Sequence, residues 1–151
     1  MTNTVDSEML TEIVSEVLEE AAFIFTETAD ETLNWNDDVV ESTITYEGQE
    51  NGKLSLAVDN EMARNFAANL LGIEPDDPAA ASRSEEAVSE MLNIVCGIFV
   101  ERWLGKTNHC RLGIPSTKAI SIDEELSHFR SAKCNAVLED EEGKRIDIYV
   151  R

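Results

Sequence analysis

A pair of alternating stretches joined by a short turn restricts this chain more than any other feature. Val40, Ser42, Ile44 and Tyr46 alternate with Glu41, Thr43, Thr45 and Glu47, residues 48–52 turn the chain between two glycines, and Leu54, Leu56 and Val58 alternate back. A period of two with one apolar face describes a half-buried antiparallel hairpin, whose register is pinned because a one-residue slip would turn the apolar set to solvent. Helical periodicity flanks it. Leu10, Ile13, Val14, Val17, Leu18, Ala21, Ile24 and Phe25 recur at three and four, with Asp6 or Ser7 as cap, which predicts a helix over about 6–25. Asp59 caps a second helix with Met62, Phe66, Leu70 and Leu71 inward and Gly72 as its stop. After a polar connector containing Pro75 and Pro78, a third and longest helix is expected over about 81–104, ending at Gly105.

Strand patterns follow at about 107–114, 116–122, 129–138 and 145–150, the last two joined by a turn at 140–143. The expected order is α-β-β-α-α-β-β-β-β. Consecutive hairpins imply an α+β fold with a largely antiparallel sheet flanked by three helices, in a single domain over residues 1–151. An internal echo points to two copies of one unit. Glu12-Ile13-Val14-Ser15-Glu16-Val17-Leu18-Glu19 aligns with Glu90-Met91-Leu92-Asn93-Ile94-Val95-Cys96-Gly97, apolar positions coinciding, and strands follow both helices.

Charge narrows the partners. The chain of 151 residues carries 31 acids against 12 Lys and Arg, a net charge of −19. Residues 1–50 hold no Lys or Arg. Such a chain lacks the clustered bases that neutralise phosphate, which argues against nucleic acid and anionic membrane as partners. A polar, acidic start and the lack of any long apolar run predict a cytoplasmic protein without a membrane span. Cys96, Cys110 and Cys134 form no CxxC pair and read as small apolar residues in a reducing compartment. No metal site is expected: His109-Cys110 has no second ligand pair, and Asp37-Asp38 and Asp76-Asp77 lack the alternation of a calcium loop. Gly105-Lys106-Thr107 imitates the end of a phosphate-binding loop, but Val100 occupies the upstream glycine position.

The third helix has two distinct faces. Met91, Leu92, Ile94, Val95, Ile98, Phe99 and Trp103 cover a broad apolar arc, whereas Glu86, Glu90, Asn93, Gly97 and Glu101 fall on one narrow polar line. Any surface helix needs a solvent edge, and most of this line could be one. Asn93 and Gly97 fit that reading badly. Asn is a weak helix former, and Gly costs about 1 kcal/mol relative to Ala inside a helix. Gly97 makes sense where another backbone must approach closely.

The segment Glu90-Met91-Leu92-Asn93-Ile94-Val95-Cys96-Gly97 resembles the E-x-x-N-x-x-x-G signature of the CheC/CheX/FliY phosphatases, which dephosphorylate the chemotaxis response regulator CheY. Glu86 stands where that family usually has Asp or Ser, and Pro115 lies one residue closer to Asn93 than the family's downstream Pro. The echo in the first helix has Ser15 and Glu19 where Asn and Gly would be needed, so one motif is intact, which is most similar to the CheX type.

The resemblance implies that Asn93 orients the water attacking an aspartyl phosphate and that Glu90 anchors the partner through a receiver lysine. Glu86, Gly97 and Pro115 would shape the docking surface, with Gly97 letting the surfaces close. A carboxamide suits the first task because it can accept a hydrogen bond from water and donate one to a phosphoryl oxygen without adding charge. No cofactor of the chain's own is implied, because the Mg²⁺ sits on the phosphorylated CheY-type receiver. The resemblance also implies a homodimer, and the alternating strands after Phe129 are candidates to extend a sheet across its axis. A second reading stays open. The chain could be a non-catalytic receiver-binding or flagellar-switch-like scaffold module of the same fold.

Overall fold

The computed structural model describes residues 4–151. Its elements are α1 (Ser7–Ala22), β1 (Thr26–Ala29), β2 (Val39–Glu47), β3 (Gly52–Asp59), α2 (Asn60–Leu71), α3 (Pro78–Ser82), α4 (Ser84–Leu104), β4 (Arg111–Leu112), β5 (Ser116–Ile120), α5 (Ile122–Ser131), β6 (Cys134–Asp140) and β7 (Arg145–Val150). The α+β class and the antiparallel sheet are as expected, with five helices where three were read.

Side chains set several boundaries. The Asp6 carboxylate accepts from the Met9 N–H to start α1, and Asp59 does the same for Met62 at α2. Helix α1 stops earlier than expected because Phe23 takes a left-handed conformation (φ 56°) and closes the helix onto the Leu18 carbonyl. Phe23 and Phe25 consequently face solvent, and Ile24 folds back on the core. The expected third helix is two pieces. Asp77 and Pro78 start the short α3, and a kink at Arg83 precedes α4.

Two elements differ more substantially. β1 is absent from the expected order. Its sequence, Thr-Glu-Thr-Ala, carries no apolar alternation, and it forms by pairing with β6. The segment expected to open a strand at Phe129 belongs to α5, which Ser121 caps by accepting from the Glu124 N–H. Ser121-x-x-Glu124 is a capping-box pattern, and Asp123, Glu124 and Glu125 in the first turn with His128 and Arg130 in the last complement the helix dipole.

The sheet has seven antiparallel strands in the order β1-β6-β7-β3-β2-β4, with β5 also paired to β2. Taking β5 at the β2 edge, exchanging β1 with β5, β2 with β6 and β3 with β7 reproduces the order in reverse. The β3–β7 pair is thus the centre of a pseudo-twofold, and α1 and α4 are its equivalent helices. The echo seen in sequence is therefore architectural. Helices α1, α2 and α4 cover one sheet face over Ile44, Leu54, Leu56, Val58, Ile146 and Ile148. On the other face smaller clusters around Trp35 and Phe129 pack beneath α5 and the 30–38 loop. Cys96 is buried, its thiol pushed up to about 12 by desolvation, while Cys110 and Cys134 are partly exposed; all three are free. No helix among the described residues is long and apolar enough to cross a membrane.

Candidate functional site

Helix α4 lies across the sheet with Met91, Leu92, Val95 and Phe99 buried, so its polar line must face outward. Glu86, Glu90, Asn93 and Glu101 are exposed and Gly97 is partly exposed. Spacings of four, three and four keep Glu86, Glu90, Asn93 and Gly97 on one ridge. Among the described residues neither the Glu90 carboxylate nor the Asn93 carboxamide has a hydrogen-bond partner. A core asparagine would be bonded inward. This one presents its donor and its acceptor to whatever docks.

Glu86 is engaged. Arg83 grips it with two hydrogen bonds of 3.0 Å each, and that contact holds the Glu86 carboxyl below its ordinary range. Gly97 needs no freedom on behalf of the chain itself, since a Cβ there would meet nothing within 4 Å. Its missing side chain makes the ridge lowest one turn beyond Asn93.

Pro115 is off the helix, just before β5. The Ser89 hydroxyl bonds Thr117 of β5, and Tyr46, which pairs with Leu112, packs edge-on against Phe99 and Trp103. Pro115 lies in the 112–117 segment between those two ties. At Gly113 the backbone sits so close to β2 that a Cβ would lie 2.5 Å from the Thr45 hydroxyl, which leaves Ile114 projecting, 92% exposed. The fold thus gathers Glu86, Glu90, Asn93 and Gly97 on one ridge, with Pro115 off it in the loop two residues before Thr117, which bonds Ser89 of α4. The pseudo-equivalent ridge on α1 carries Glu12, Ser15 and Glu19, with no carboxamide.

A second polar cluster, on the opposite sheet face, was not legible from motifs. Glu41, Glu125 and His128 bring ligand-type atoms within 4.8 Å of one another. His128 Nδ1 is 2.6 Å from Glu41, the Tyr149 hydroxyl stands between Glu41 (2.9 Å) and Glu125 (2.8 Å), and Arg151 reaches Glu41 at 3.4 Å. Arg145 pairs with Asp147 at 2.6 Å beside them. Two guanidinium groups already supply the positive charge such carboxylates need, so the cluster reads as the latch of α5 to the sheet.

Within it, burial pushes the Glu125 carboxyl up to about 11, assisted by the neighbouring Asp147 and Glu41, so Glu125 keeps its proton through the neutral range. The unfolded chain releases that proton above its ordinary 4.5. The folded state then binds more protons, and this group's contribution declines as pH rises from about 5 toward 11. Urea unfolding at pH 6 and pH 9 should show the wild type losing more stability between the two than Glu125→Gln, which keeps a donor that cannot ionise.

The ridge therefore sets a free carboxamide, an unpaired acid and a gap side by side on an exposed helix face, open to approach from outside. The chain belongs to the family of the chemotaxis phosphatase CheX, whose model matches residues 40–130, from β2 through α5, and so contains the whole ridge and Pro115. No curated protein matches it. Among solved structures the fold is similar to the CheX-CheY-BeF3-Mg²⁺ complex from Borrelia burgdorferi (20% identity, 98% of this chain and 99% of that one, TM-score 0.70). It is also similar to CheX from Desulfovibrio desulfuricans (16% identity, 96% and 98%, TM-score 0.63). Thermotoga maritima FliY shares the fold more distantly (14% identity, 99% and 92%, TM-score 0.57).

Proposed function

We propose that this protein removes the phosphoryl group from the aspartyl phosphate of a CheY-type response regulator, with Asn93 as the catalytic residue and Glu90 as the anchor. The observation that carries the reading is the ridge itself: an exposed, unpartnered carboxamide one turn from an unpartnered acid, inside the segment matched by the CheX family model. Hydrolysis of an acyl phosphate needs water held in line and charge stabilised on the phosphoryl oxygens. Asn93 orients the water and leaves the phosphate's charge unopposed by a second anion. Glu90 pairs with a cationic side chain of the receiver and sets register. Mg²⁺ and the phosphorylated carboxylate belong to the receiver, as the BeF3 and Mg²⁺ of the Borrelia complex suggest by analogy.

Gly97 supplies a test with opposed signs. Gly97→Ala adds a methyl into open space and a better helix former, so the fold should gain about 0.5–1 kcal/mol. The same methyl stands where the receiver must close. Thermal unfolding should therefore rise while stimulation of receiver dephosphorylation falls. A variant with higher stability and full activity would remove Gly97 from the docking surface.

Homodimerisation is part of the proposal, through a route other than the one expected from sequence. Strands β6 and β7, which follow Phe129, each already have two neighbours, so they cannot extend the sheet. The free edges are β1 on one side and β4 and β5 on the other. A non-catalytic receiver-binding module is the competing reading, favoured by the Arg83–Glu86 pair, which occupies one acid of the ridge. Binding without turnover would establish it.

A further inference from the structure

The expected inward positions Leu70 and Leu71 end in the open. The apolar cover of α2 stops at Ala67 and Ala68, and the two leucines of its last turn are 42% and 37% exposed. They form one wall of a groove of about 230 Å³ between the end of α2 and the start of α4. Ala67 and Ala87 make its floor, small enough to leave the space open. The far rim is Arg83, Glu86 and Glu90, the two acids being those that begin the docking ridge.

We propose that this groove is a specificity pocket for the receiver, taking an apolar side chain that stands beside a Lys or Arg on the partner's surface. The inference rests on the reading of the α4 ridge and extends it to a second contact. Continuity carries it, because Glu90 lines the groove and lies only three residues, about 4.5 Å of helix rise, from Asn93. A body that covers Asn93 closely enough to hold a water must also cover the groove mouth. Charge selects the occupant. Arg83 already neutralises Glu86, which leaves Glu90 as the uncompensated charge on an apolar slot. An apolar plug with an adjacent cation satisfies both walls, while an acidic or wholly polar surface would leave the leucines wet and Glu90 repelled.

The experiment measures the Kd for a purified CheY receiver held in its phospho-like state by beryllofluoride and Mg²⁺, a readout independent of turnover. Leu70→Ser and Leu71→Ser are each expected to raise Kd about tenfold, whereas Leu70→Met stays close to wild type. Both leucines are partly exposed at a helix end, so thermal unfolding of the serine variants, recorded alongside, should stay near wild type. Kd values within about twofold of wild type for both serine variants would overturn the pocket. That result would leave the ridge reading intact, provided Asn93→Ala still stops turnover. Failure of the wild-type protein to bind the receiver at all would overturn the reading beneath it, and the pocket's partner with it.

Discussion

Asn93→Ala is expected to lower stimulated dephosphorylation of the receiver by on the order of 10²–10³-fold, the usual cost of losing one preorganised polar group at a reacting centre. Affinity for the receiver should barely move. The side chain is exposed and bonds nothing within its own chain, so its removal leaves no buried group unpaired and creates no cavity. Alanine is also the better helix former, so unfolding should be unchanged or slightly later. Glu90→Ala should behave in the opposite way, losing affinity first, because its role is to hold register. A kcat loss at Asn93 paired with a binding loss at Glu90 separates chemistry from docking. Equal losses of affinity at both positions would mean that the ridge only binds.

Arg145→Met is expected to cost about 3–5 kcal/mol of stability, a large part of the typical margin of a domain this size. Arg145 is 2% exposed. It binds Asp147 at 2.6 Å, donates to the carbonyls of Glu31 (2.9 Å) and Leu33 (2.8 Å), and lies over the rings of Trp35 and Phe129. One side chain thereby fastens the 30–38 loop and α5 to the central strand β7. Methionine keeps the volume but leaves Asp147 and two carbonyls without their donor. Urea unfolding compared with Arg130→Met, at an exposed site on α5, measures the effect, the control moving by no more than about 0.5 kcal/mol. Because this network and the α4 ridge lie on opposite faces, folded Arg145→Met protein should still stimulate dephosphorylation. Loss of activity in folded protein would link the two faces in a way the packing does not.

These two residues also mark the range of what could be read without coordinates. Asn93 was visible because its neighbours in space are its neighbours in sequence: a ridge with spacings of four and three is written in the helix period. The hairpin was legible for the same reason, and Val40 does pair with Val58. Arg145 was invisible. Its partners Glu31, Leu33 and Trp35 sit more than a hundred residues away, and a charge in an alternating strand reads as solvent-facing until the other layer is known. Glu41 and Glu125 were missed on the same ground.

The helical period assigns Leu70 and Leu71 inward because it carries no sign of where the covering helix ends. The α5 capping pattern at Ser121 and Glu124 was present in the sequence, but the apolar residues around Phe129 also fit a strand. Charge proved a weak guide to chemistry: the acids that give the chain its net −19 are mostly solvated, and the proposed centre turns on one neutral amide and one free carboxylate.

If the ridge catalyses hydrolysis, one molecule of this protein must serve many receivers in turn. The most direct measurement follows phosphate release from an excess of phosphorylated receiver with a small amount of this protein. Many turnovers per protein molecule are expected, and their loss in Asn93→Ala. Release that is no faster than the receiver's own decay, with the two proteins bound in a stable complex, would contradict it.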